Sequence, residues 1–237
     1  MTYNGIYISR LCAWAPGIET PGEWDEWAQG RRDISFDSKG PELAFTEPMF
    51  RRRLSQISKM TVQVIHDLLS PRDEARIFFL SFRGELSRQY QINKMLIEEN
   101  ELMPAAFSLS VFNAPAALAA IALGLKGGYS ALYPAGKNPF AAGLDAAAAA
   151  LLHKAASHPQ GGAEIAFVYA DEQPPPEYEA VSQGSPPPAA FGLLLSTRQH
   201  GGELRPFSVP LSSFSADAAP LAFLRKLLLS GNIHVSA

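Results

Sequence analysis

The chain has 237 residues, 47% of them hydrophobic and 18% charged, with a formal net charge of -3. That is enough apolar material for one large core or two small ones. The near-neutral balance excludes a nucleic-acid binder driven by phosphate contacts. The single cysteine, Cys12, excludes a disulfide framework or a zinc cluster and fits a reducing, cytoplasmic setting. No basic region followed by a long apolar core opens the chain, so no signal peptide is expected. The apolar stretches 114–125 and 139–152 are too short to span a bilayer and read as buried helices.

Ile6 to Trp14 reads as a first strand, broken by Pro16-Gly17 and Pro21-Gly22. Glu23 to Gln29 predicts a short helix carrying two tryptophans, and 30–48 a long loop. Leu54, Ile57, Val62, Ile65 and Leu69 recur at helical spacing, which predicts a helix from Arg51 to Leu69 ended by Pro71. Arg76 to Phe82 is aromatic and short enough for a buried strand. Residues 87–100 form a further amphipathic helix, and 113–125 a helix of small residues suited to close packing. Gly127-Gly128 precedes a strand at 129–133, and 134–138 is a turn. Asn138 is placed to cap the alanine-rich helix that follows, with Pro139 at its first position, where a missing N–H costs nothing.

Residues 163–170 and 191–197 read as strands, with a shorter one over 206–211 and a final helix over 218–229. Between them, 173–188 holds six prolines and reads as a loop. Strands alternate with helices through the first 170 residues, which predicts an α/β layered fold in a single domain.

The stretch Pro104…Phe112-Asn113 followed by Gly124-Leu125-Lys126-Gly127-Gly128 resembles the N-terminal half of the β-ketoacyl synthases, in the thiolase superfamily. The opening strand with its Trp-bearing helix, and Phe50 to Gln56 with Arg51, Arg52 and Arg53, resemble that family in the same order. The resemblance implies a thiolase-like α-β-α fold, cut down to the N-terminal half (core 1–172, shortened end 189–237), with no cofactor and no metal. In the family a cysteine nucleophile follows the glycine pair at the start of a buried helix, whose dipole favours the thiolate. Counted without gaps, that place falls on Gly136, which has no side chain to acylate. The half that carries the family's two catalytic histidines is largely missing, and none of His66, His153, His158, His200 and His234 sits in such a motif.

A synthase-like chain without its nucleophile resembles the chain length factors, and in its short length those of aryl polyene pathways. That likeness implies a ketosynthase partner, acyl carrier protein reached through the pair, and a role in setting acyl length during polyketide or fatty-acid-like synthesis. It implies that Leu102, Met103, Phe107, Leu109 and Phe112 line the end of the partner's acyl tunnel. It implies that Tyr129, Ser130, Ala131, Leu132 and Tyr133 pair across the dimer axis. Arg51, Arg52 and Arg53 would dock the acidic carrier, or simply form a solvated helix start.

Two other readings stay open. Ser130 or Ser81 would serve a small serine hydrolase or acyltransferase, although Gly128-Tyr129-Ser130-Ala131-Leu132 does not meet Gly-x-Ser-x-Gly. A homodimeric acyl-binding module needs no nucleophile at all. Ser81 to Glu85 ends a strand where ligands often bind, but reads first as a strand-to-helix turn.

Overall fold

Short apolar runs bounded by turn residues become strands: β1 (Tyr7–Trp14), β2 (Arg76–Leu80), β3 (Tyr129–Leu132), β4 (Glu164–Asp171), β5 (Ala189–Ser196) and the two-residue β6 (Val209–Pro210). The computed structural model describes residues 3–69, 74–101, 104–133, 136–157, 163–178, 184–198, 209–213 and 219–236. The strands form one six-stranded sheet in the order β3-β2-β4-β5-β1-β6. β2 runs parallel to both β3 and β4, while β5 is antiparallel to its neighbours β4 and β1. β1 therefore points the same way as β2, β3 and β4, and the ends of these four strands share one edge of the sheet.

Helices cover both faces. They are α1 (Pro21–Ala28), α2 (Pro48–Arg51), α3 (Gln56–Leu68), α4 (Leu86–Glu98), α5 (Pro104–Phe107), α6 (Ala114–Ala122), α7 (Pro139–Ser157) and α8 (Pro220–Leu229), with a 3₁₀ turn at Leu211–Ser213. Met60, Val64, Leu68, Ala116 and Ala119 of α3 and α6 pack on Ile77, Phe79, Val168 and Leu194 of one face. Trp24, Leu144, Leu151, Phe223 and Leu227 of α1, α7 and α8 pack on Ile8, Phe167, Phe191 and Leu193 of the other. This is the α-β-α layering expected of a thiolase-like chain.

Side-chain alternation in β1 breaks once. Ile8 opposes Leu195 and Arg10 opposes Leu194, so Ser9 is an extra residue. The bulge puts Ile8 and Leu11 on one face, and Cys12 on the other. Gly192 in β5 lets α3 approach, because a Cβ there would lie 2.9 Å from side-chain carbons of both Leu68 and Val64.

The helix expected over 51–69 is the shorter α3, and a separate helix, α2, precedes it. α2 stops at Arg51, and α3 restarts after Ser55, whose side chain accepts from the Ser58 N–H. The short helix α5 and the 3₁₀ turn were not legible in the pattern. Of the strand expected over 206–211, β6 alone is described. No helix among the described residues is long and apolar enough to cross a membrane.

Candidate functional site

The parallel strands β2 and β4 end side by side, and the turns that leave them are tied together by buried carboxylates. Asp171, the last residue of β4, accepts the Ser81 hydroxyl at 2.7 Å, the Phe82 N–H at 3.0 Å and the Arg83 N–H at 3.1 Å. Ser81 in turn accepts the Gly84 N–H at 2.7 Å. Burial pushes the Asp171 carboxyl up, against the pull of these donors. Burial, with Asp171 beside it, also raises the Tyr169 phenol well above its usual range.

Gly84 is required twice over. Its φ is +57°, and a Cβ would lie 2.6 Å from the Phe112 ring. Glu85 follows, wholly buried, and accepts from the Ser55 hydroxyl at 2.7 Å, the Ser58 hydroxyl at 2.6 Å and Arg88 Nε at 3.1 Å. One carboxylate thus joins the start of α3 to the start of α4.

Glu172 is the third acid. Its Oε2 accepts the Ile57 N–H at 3.0 Å, and its Oε1 is buried with no hydrogen-bond partner. Burial, with a further push from Glu85, raises this carboxyl from 4.5 to about 7, against the pull of the Ile57 N–H. Glu172 lines a cavity of about 560 Å³ together with Arg52, Arg53, Phe36, Leu54 and Leu109.

Sequence reasoning took 81–85, Glu85 included, first for a turn, which it is, and missed Asp171 and Glu172. The available signal was an Asp-Glu pair at the end of an apolar strand, facing a Gly-Glu in the turn after another.

The residues expected to line a tunnel do not share one surface. Leu102 and Met103 lie outside the described residues. Phe107 ends α5 and is 58% exposed. Leu109 faces the cavity of this chain, beside Ala105 and Ala106. Phe112 is half-buried between Phe79 and Tyr133, with ring centroids 6.4 and 5.7 Å away. Of the three arginines, Arg52 and Arg53 are exposed at the cavity, and Arg51 ends α2.

The residues expected at a dimer axis do share a place. Among the described residues β3 is the outermost strand, with β2 on one side and no strand on the other. The Ile77 N–H bonds to Gly128 O, and Ile77 is in register with Tyr129. In a parallel ladder this turns the backbone groups of Ser130 and Leu132 toward β2, and those of Tyr129 and Ala131 outward. Arg76 donates to the outward Tyr129 carbonyl at 3.0 Å and to the Ser130 hydroxyl. Exposed apolar side chains adjoin the edge, Ile121 and Tyr133 each at 75%. Gly136 is exposed, has φ +91°, and has nothing within 4 Å of where a Cβ would stand.

The serines have other work. Ser81 is sealed into the turn just described, and Ser130 accepts from Arg76. Neither has a histidine partner among the described residues. His66 stacks on Phe45 beside Asp67, and His234 approaches Asp25 at 3.8 Å. Cys12 is fully buried, and burial, with Asp67 adding to it, raises its thiol to about 12. Among the described residues no His, Cys, Asp and Glu cluster could hold a metal ion.

Comparison with curated protein sequences returns no match. Among solved structures, a chain of the ketosynthase (ApeO) in complex with its chain length factor (ApeC) from Xenorhabdus doucetiae matches at 28% identity and a TM-score of 0.66, over 83% of this chain and 80% of that one. The ishigamide ketosynthase/chain length factor matches at 14% identity and 0.64, over 85% and 64%. The ketosynthase from module 6 of the Bacillus subtilis bacillaene synthase matches at 18% and 0.52, over 80% and 36%. The last two show the shared fold. The model of the β-ketoacyl synthase N-terminal domain matches residues 24–217, and with that span, the layered sheet and these neighbours, the chain belongs to the β-ketoacyl synthase N-terminal domain family.

Proposed function

We propose that this chain is the non-catalytic, chain-length-factor-like member of a ketosynthase pair, working in polyketide-type biosynthesis on acyl carrier protein. The observation that carries the reading is the match to the Xenorhabdus complex, whose matched chain is close to this one in length. The open edge of β3, with apolar side chains beside it, supports a paired state, since an unpaired strand edge is a template for another chain.

The absence of an activated nucleophile in the described residues supports a silent role. Gly136 stands where the family's cysteine is expected. A left-handed backbone there suits glycine and not a cysteine. Cys12 is sealed in the core with its thiol far from ionised at neutral pH. In this reading the partner brings the cysteine and both histidines, and this chain supplies a wall of its acyl tunnel.

Phe107 is the tunnel candidate best placed to meet a partner, because it is exposed five residues before Phe112, whose ring meets Tyr133 at the end of β3. Replacing it by Ala is expected to lengthen the product by at least one extension unit with the pair intact. The silent role is tested with radiolabelled acyl carrier protein. The pair should label on the ketosynthase alone. Covalent acyl label on this chain would overturn the proposal and favour the serine-based alternative.

A further inference from the structure

The outer edge of β3 is not bare. Arg76, the first residue of β2, is exposed, and its guanidinium crosses the face of β3 to the far side of that strand. Nη2 donates to the outward Tyr129 carbonyl at 3.0 Å and to the Ser130 hydroxyl at 3.1 Å, and Nε donates to the same hydroxyl at 3.3 Å. Gly128 opens the path, because a Cβ there would lie 3.2 Å from Arg76 Nη1. Among the described residues no carboxylate pairs with this cation. A strand added to β3 needs the outward groups of Tyr129 and Ala131, and Arg76 already holds one of those two carbonyls. Charge placed on an edge strand is a general way of refusing wrong partners.

A second copy of this chain meets a further obstacle. Antiparallel pairing that sets Tyr129 against Ala131 of the second copy sets Ser130 directly against its own counterpart, with Cα atoms about 4.5 Å apart. Ser130 is in register with Phe78, two residues on from Arg76, so both side chains share one face of the sheet. Each guanidinium is held on its own Ser130, and the two cations therefore meet on that face. Like charges directly opposite each other in a ladder oppose its formation. A partner strand that brings a carboxylate to the same place turns the repulsion into an ion pair and draws the guanidinium off the Tyr129 carbonyl.

We infer that Arg76 sets the choice of partner at this edge: it refuses a second copy of the chain and admits a ketosynthase whose pairing strand carries an acid facing it. Specificity of this kind is a difference between two affinities, and one cation moves both in opposite directions. The inference rests on the paired state proposed above and names the residue that selects the partner.

Analytical ultracentrifugation of the purified full chain, alone and with the ketosynthase of its own host, reads both affinities. Arg76→Met keeps the stem over Gly128 and removes the charge. It should self-associate about tenfold more tightly than wild type and pair with the ketosynthase about tenfold more weakly, since a clashing or a lost interfacial charge is worth at least that much. Salt tests the same claim without a substitution, should Arg76→Met not fold. Raising it from about 0.05 to about 0.5 M screens exposed charges, so wild type should self-associate more and pair with the ketosynthase less. Self-association that neither Arg76→Met nor salt strengthens, or ketosynthase pairing that neither weakens, would overturn the proposal and leave the paired state standing. A wild-type chain that ignores the ketosynthase at every salt concentration would overturn both.

Discussion

Glu172 contributes a pH dependence to this fold. Its carboxyl is raised in the folded chain, from 4.5 to about 7, chiefly by burial. Between these values the native state holds a proton that the unfolded chain has released. Stability from this group is therefore fully present below about pH 4.5 and is lost as the pH rises toward 7. The loss is about 3 kcal/mol at most. Glu172→Gln keeps an oxygen for the Ile57 N–H and carries no charge. Urea unfolding at pH 5 and pH 8 should show wild type losing stability relative to Glu172→Gln as the pH rises. A difference that is flat with pH, or that grows in favour of wild type, would contradict this account of the site. The pair of acids is visible in the sequence, but their burial is not. Asp171 and Glu172 stand next to a proline-rich loop, where acids are ordinarily solvated. What buries them is contact with residues some 90 and 115 positions away, Ser81 and Ile57.

At the scale of elements, most strands and helices were legible because their signals are local. Apolar runs of four to eight residues gave β2, β4 and β5, and helical spacing gave α3 and α4. The errors fall where a side chain overrides the period. Apolar residues continue in phase through Leu54, yet the helix breaks there because Ser55 caps the Ser58 N–H and also reaches Glu85. α5 was missed because four residues carry no period. The turn after β2 and the segment from α5 to Asn113 meet at Gly84, with Phe112 over it. Gly84→Ala meets both a left-handed backbone and the Phe112 ring, at a cost of about 1–2 kcal/mol for the backbone alone. It should speed amide hydrogen exchange across 104–113 at least tenfold while leaving β4 and β5 protected. Unchanged exchange in that segment would show that Phe112 does not hold it.

For the whole molecule, the decisive asymmetry is the edge of the sheet. One side ends in the two-residue β6, and the other in β3, with Ile121 and Tyr133 exposed nearby. The strand and its place in the family's order were legible in the sequence. Its position at the edge followed only from the resemblance and not from the residues themselves, since strand order depends on which later strand pairs with β2, and that strand is β4. The ladder leaves the Ala131 N–H pointing away from the sheet. Ala131→Pro removes that donor without touching a bond to β2, and edge strands tolerate proline there. It therefore separates pairing from folding, where a bulkier change would confuse the two.

Native mass measurement of this chain co-expressed with the ketosynthase of its own host tests the central claim most directly. The account predicts a 1:1 heterodimer with a largely apolar interface of more than about 2,000 Å². It also predicts that Ala131→Pro gives a folded chain that pairs at least tenfold more weakly. A folded monomer that ignores the ketosynthase, a homodimer unchanged by its presence, or full pairing by Ala131→Pro would contradict it.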